Sequence, residues 1–252
     1  MKVDACYCTY KKDLTWICYS MQLLYKHFRG AFGCHVVAEE DCKDVIDTWG
    51  LPVTYHYIKP WPDGYHHAMY RKLLMDTLSE ADLIMLLDSD HILLEPIYLE
   101  DLLANGKPIV HFRDWDDDRN DAALAVSRQQ WAPPTERCMG IPLDRDYMIR
   151  APFIFWRSTF AGVRQRIEDV TGLPLHDVCY SDIPYDYRNF LQHPKRFCDY
   201  QCLGLYAAKF EPNRYNVQHW IPGTHWPFRT YWSHGDWTPF LQSKLDALLA
   251  AA

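Results

Sequence analysis

Leu83-Ile84-Met85-Leu86-Leu87 presents no polar side to water. A strand alternates its side chains between two faces, so five apolar residues in a row need cover above and below. A central strand of a sheet layered between helices supplies that cover. The preceding residues fit such a sheet. Val3 to Thr9 reads as a strand, and Asp13 stands where an N-cap would. Leu14, Ile17, Cys18, Met21, Leu24, Tyr25 and Phe28 then recur at helical steps up to Gly30. Cys34 to Ala38 is a second strand, Cys42 to Trp49 a short helix closed by Gly50, Val53 to Ile58 a third strand and His66 to Leu78 a second long helix. Strand and helix alternating at this pitch predict parallel β-α-β units with crossover helices on both faces of the sheet. Ligands of such sheets bind beyond the carboxyl ends of the strands.

The chain has 252 residues, 48% of them hydrophobic, enough to bury a core as a single domain. Residues 1–110 read as a nucleotide-binding half and 111–252 as a substrate-binding elaboration in which aromatic residues become denser. No apolar run reaches the roughly 20 residues of a membrane span, and Met1 to Lys12 has no apolar stretch of signal-peptide length. The expectation is a soluble, cytoplasmic protein with no membrane contact and no obligate protein partner. Nine cysteines without C-x-x-C knuckles point to reduced, mostly buried thiols rather than zinc ligands. A net charge of −7 argues against gripping nucleic acid by phosphate neutralisation alone, while leaving room for a local basic groove.

Asp88-Ser89-Asp90 follows the apolar strand directly. Similar triplets occur at Asp114/Asp116, Asp116/Asp118 and Asp144/Asp146, so position is what distinguishes this one. Carboxylates at the tip of a buried strand must be paired or bound to a cation. Asp88 and Asp90 offer hard oxygen ligands suited to Mg²⁺ or Mn²⁺, which in turn bridges phosphate oxygens. A polar turn after a strand is the bland alternative. The acidic run Asp114 to Asp121 reads as a solvated loop.

Leu-Leu-Asp-Ser-Asp after an apolar strand and a strand-helix-strand start resembles the nucleotide-sugar glycosyltransferases of the GT-A fold. The resemblance implies an α/β, Rossmann-like single domain with a mostly parallel central sheet flanked by helices. It also implies a hexosyltransferase whose donor is a nucleoside-diphosphate sugar, by default UDP-glucose. Asp90 would then be a direct ligand of Mn²⁺ or Mg²⁺, with Asp88 near the metal and the donor sugar or ribose and Ser89 between them. Thr9, Tyr10 and Lys11 would hold base and ribose, and Arg71 and Lys72 would lie within reach of the diphosphate; an ordinary loop and a solvated helix face are the alternatives. Tyr231 to Trp237 resembles the C-terminal segment that completes metal coordination, which assigns His234 as a ligand and Gly235 to close approach of the diphosphate, with His225 competing. Phe197 to Gly204 resembles the segment bearing the catalytic base of inverting enzymes, which points to Asp199, with Asp182 in reserve and a plain helix N-cap as the other reading.

On that resemblance the acceptor would be a saccharide, a protein, a small molecule or hydroxymethylated pyrimidine in DNA, as for the phage enzymes that glucosylate such bases. A flipped base would suit an aromatic-rich domain, with His193 to Arg196 and the Arg145 to Arg166 segment on the phosphates. Two readings of other classes remain. A nucleotidyltransferase or phosphohydrolase would also use strand-end carboxylates and metal. A non-catalytic carbohydrate-binding module would use the ten Trp and seventeen Tyr as stacking faces.

Overall fold

The computed structural model describes residues 1–47, 49–61, 64–116, 122–149, 151–179, 197–231 and 237–251. The first half runs β1 (Val3–Thr9), α1 (Leu14–His27), β2 (Phe32–Glu39), α2 (Lys43–Ile46), β3 (Thr54–Ile58), α3 (Gly64–Lys72) and β4 (Leu83–Leu87). Next come β5 (His91–Leu93), β6 (Lys107–Asp114), α4 (Ala122–Met139), β7 (Phe153–Trp156), α5 (Arg157–Thr171) and α6 (Leu175–Cys179). After residue 197 follow α7 (Asp199–Lys209), β8 (Asn216–His219), β9 (Phe228–Thr230) and α8 (Pro239–Ala250).

The result is a mixed α/β fold around a mostly parallel sheet flanked by helices. The sheet order is β7-β4-β1-β2-β3, with the last four parallel and β7 antiparallel on β4. All five residues of β4 are fully buried, as a strand without a polar side requires. Side chains of β1 alternate between two helical layers. Tyr7 faces α1, its hydroxyl 3.1 Å from Ser20 Oγ, whereas Cys8 faces α3 beside His67 and Arg71. Helix α8 closes over α1, where Lys26 Nζ donates to the carbonyls of Leu248 and Leu249 at 2.7 and 2.8 Å and so satisfies the helix end.

Several boundaries differ from the sequence reading. The helix expected over His66 to Leu78 stops at Lys72 and resumes as a short 3-10 turn, Met75–Thr77. Tertiary bonds take over there: Arg164 donates to the Leu73 carbonyl at 2.5 Å and pairs with Asp76 at 2.9 Å. Asp13 does occupy the N-cap position of α1, yet its side chain makes no capping bond, because a 3-10 turn, Lys11–Asp13, already leads into the helix. Cys198, not Asp199, is the N-cap of α7, and Asp199 is its first helical residue.

From β1 the chain steps outward to β2 and β3, then returns to β4 on the other side of β1. Such a reversal, beyond the carboxyl ends of β1 and β4, is the usual ligand position in sheets of this kind. A second small sheet joins β6 to β8 and to Arg145–Asp146, and β9 pairs with β5. All nine cysteines are free thiols. Among the described residues, no helix is long and apolar enough to cross a membrane.

Candidate metal and phosphate site

Asp88 and His91 close a turn at the tip of β4. The His91 amide donates to the Asp88 carbonyl at 3.1 Å, and the Asp88 amide donates to His91 Nδ1 at 2.9 Å. Ser89 Oγ donates to Thr9 Oγ1 at 3.1 Å, fastening this turn to the end of β1. On the other side the Tyr231 amide, just past β9, donates to the Asp90 carbonyl at 2.9 Å. Asp88, Asp90 and His91 thereby offer ligand atoms all within 4.8 Å of one another, a grouping that could hold a metal ion.

The protonation pattern sorts these three. His91 Nδ1 accepts a backbone N–H, so the neutral ring carries its proton on Nε2, which lies 3.6 Å from Asp88 Oδ2. Burial pushes His91 down to about 4, which keeps the ring neutral at physiological pH. To ligate through Nε2 the ring would have to surrender that proton. The turn as built therefore offers two carboxylates as metal ligands and uses His91 to orient Asp88. Oxygen ligands of this kind are the chemistry that hard divalent cations prefer.

Behind the turn lies a buried charge cluster. Lys72 Nζ donates to Asp88 Oδ1 and sits 3.3 Å from Asp199 Oδ2, with side-chain exposures of 8% for Lys72, 36% for Asp88 and 2% for Asp199. The Asp199 contact is an ion pair without hydrogen-bond alignment. Tyr200 OH donates to Asp88 Oδ1 at 2.9 Å, and the Lys72 ammonium lies 4.3 Å from the centre of the Tyr200 ring. Burial alone would raise the Asp88 carboxyl, but Lys72, His91 and the Tyr200 hydrogen bond outweigh it and hold Asp88 at about 2. Asp199 moves the other way: burial, with Asp88 as a like charge, raises it despite Lys72. Lys72 is driven well above its ordinary value because Asp199 and Asp88 together overcome its own desolvation.

A cleft of about 460 Å³ opens beyond the carboxyl ends of β2 and β3, walled by Tyr57, Lys59, Trp61, Tyr70, Arg71 and His176 among others. Trp61 and His176 stack at 5.3 Å with planes 15° apart. A smaller hollow lined by Thr9, Tyr10, Glu39 and Arg71 shares His67 and Arg71 with that cleft. Its neighbourhood reaches the metal turn: Asp90 and Glu39 both help to raise the Tyr10 hydroxyl, which burial pushes to about 12. Lys72, Asp199, Asp88 and Arg71 all act on the half-buried Cys8 thiol.

The structure thus brings together Thr9, Tyr10, Lys72, Asp88, Ser89, Asp90 and Asp199. Lys11 is exposed on the turn after β1. Lys72 is locked behind Asp88, so of the two expected cations it is Arg71 that lines the cleft, beside Lys59. Asp182, His234 and Gly235 lie outside the described residues, as do His193 to Arg196 and Asp117 to Asp121. His225 is on the surface, 2.9 Å from Glu95, and is not part of the Asp88 group. Three of the arginines offered for DNA phosphates are engaged within the protein: Arg145 with Asp114 at 3.2 Å, Arg164 with Asp76, and Arg166 with the Met139 carbonyl at 2.8 Å. Sequence reasoning gave no role to His91, although it adjoins the motif, nor to Tyr200, Trp61 or His176, whose meeting only the fold creates. No protein-family model matches the chain, and no curated protein matches it.

Proposed function

We propose that this protein is a metal-dependent transferase of the GT-A type, moving a sugar from a nucleoside-diphosphate sugar to a hydroxyl acceptor. The observation that carries this reading is the Asp88-Ser89-Asp90 turn, tied to β1 at the reversal of strand order and adjoining an aromatic, cationic cleft. A bound Mg²⁺ or Mn²⁺ would neutralise charge on the departing diphosphate. Asp90 and Asp88 are the residues that would hold it. Asp88 is kept ionised by Lys72 and Tyr200 and is oriented by His91. Trp61, Tyr57 and His176 supply ring faces for a base, and Arg71 and Lys59 supply positive charge beside it.

Asp199 enters this reading as the residue that holds Lys72 rather than as the base, because a base must touch the acceptor hydroxyl and Asp199 is 2% exposed. Its raised pKa follows from the same burial.

Thermal-shift and nucleoside-diphosphate release measurements with UDP-, GDP- and dTDP-sugars, with and without Mn²⁺, test the proposal. Hydroxymethylated DNA and simple saccharides serve as parallel acceptors. Stabilisation by one donor only in the presence of Mn²⁺, abolished in Asp90→Asn while the fold persists, is the expected result. A donor response that survives Asp90→Asn, or none to any donor, overturns it.

A further inference from the structure

A line of polar side chains crosses the sheet toward the amino end of β1, away from the Asp88 turn. Asp4 on β1, His35 on β2 and His56 on β3 lie diagonally on one face, since Asp4 is level with Gly33 and His35 with Thr54. His35 Nε2 is 3.2 Å from Asp4 Oδ2, and His35 Nδ1 is 3.1 Å from His56 Nε2. Asp4 is itself held, by Ser79 Oγ donating at 2.6 Å and the Gly33 amide donating at 3.0 Å. A carboxylate fixed in this way keeps the proton of His35 on Nε2 and turns the Nδ1 lone pair toward His56.

We propose that His35 Nδ1 and His56 Nε2 form a binding site for a transition-metal ion of the zinc class, with Asp4 as the carboxylate that orients His35. Two imidazole nitrogens on a tetrahedral Zn²⁺, each at about 2.0–2.1 Å, are separated by about 3.3–3.4 Å. The 3.1 Å already present needs only a small spreading and a turn of each ring, with the shared proton leaving to solvent or to His56 Nδ1. A carboxylate on the distal nitrogen of a ligating histidine is the arrangement that orients such ligands and strengthens their basicity. β3 is the sheet's edge strand and His56 is only half buried, so the remaining coordination positions are open to water. Imidazole ligands favour Zn²⁺, Ni²⁺ or Cu²⁺ over the hard cations suited to Asp88 and Asp90. The ion would clasp β3 to β2, independently of any transferase activity.

The test uses the full chain carrying Asp90→Asn, which silences the carboxylate turn, compared with the same protein also carrying His56→Gln. Calorimetric titration with Zn²⁺ is expected to show one equivalent bound in the first and at least tenfold weaker binding in the second. Asp4→Asn should weaken it by about 10- to 100-fold. Anomalous scattering at the zinc edge, from crystals of the Asp90→Asn protein, is expected to show a peak between the two rings and needs no further variant to fold. Unchanged affinity in His56→Gln, absence of zinc binding, or a peak located elsewhere overturns the proposal.

Discussion

Replacing Lys72 with Met removes the one cation between two carboxylates while keeping a side chain of similar length against the Tyr200 ring. The wild-type cluster holds one positive and two negative charges. The variant leaves Asp199, 2% exposed, without its counter-charge. Breaking a buried pair from one side costs about 3–5 kcal/mol, and because Asp88 is 36% exposed, water moderates its share, so the lower end of about 3 kcal/mol is expected at pH 7.5. For a chain of this size each kcal/mol moves the melting point by about 2–4 °C, which gives a fall of about 6–12 °C. The sign with pH is also fixed. Asp199 already titrates above its ordinary value, and losing Lys72 raises it further. A carboxyl raised in the fold adds stability at low pH and loses it as pH rises through the folded pKa, so the variant's deficit should shrink between pH 7.5 and pH 5. Adding Asp199→Asn should recover much of the loss at pH 7.5 and abolish that pH dependence. Urea unfolding of the three proteins at both pH values measures all of this. A loss below about 1 kcal/mol, or identical pH dependence with and without Asp199, would refute the account of the cluster.

Other outcomes follow from single contacts. His91→Leu deletes the acceptor of the Asp88 amide, so unfolding titrations should register a loss of about 1–3 kcal/mol, and calorimetry should find weaker Mn²⁺ binding. Retention of wild-type Mn²⁺ affinity would show that His91 does not orient the turn. Gly204→Ala is expected to destabilise the protein despite alanine's advantage in a helix, because the new Cβ would overlap the Cβ of Tyr147; a raised melting point would contradict that packing. Asp88, held at about 2 in the fold, contributes stability above the ordinary carboxylate range that is lost as pH falls from about 4 toward 2. In Asp88→Asn that part of the acid transition should be missing from circular-dichroism titrations.

Much of the first half of the fold was legible because the apolar pattern has one physical solution. Leu83 to Leu87 has to be central, and it is; the strands at Val3 to Thr9, Cys34 to Ala38 and Val53 to Ile58 appear within a residue or two of their expected bounds. Helix limits were less legible: the helix read over Cys42 to Trp49 spans only Lys43–Ile46, and the one read over His66 to Leu78 runs from Gly64 to Lys72, its end set by Arg164, a group remote in sequence, reaching the Leu73 carbonyl. β7 was not foreseen as part of the central sheet, since a four-residue strand from the second half carries no periodicity that names its partner.

The site divides in the same way. Sequence by itself determined that two carboxylates stand at the end of a buried strand, because strand burial and chain order are local properties. It also determined that no aliphatic run in the chain is long enough to span a bilayer. Only the tertiary structure decided which groups those carboxylates meet. Lys72 is 16 positions from Asp88 and Tyr200 is 112 positions away, yet both reach the same oxygen. Asp4, His35 and His56 are likewise joined only by the lateral pairing of three parallel strands. Parallel strands are connected through helices, so neighbours across the sheet are distant along the chain and leave no spacing for sequence to reveal.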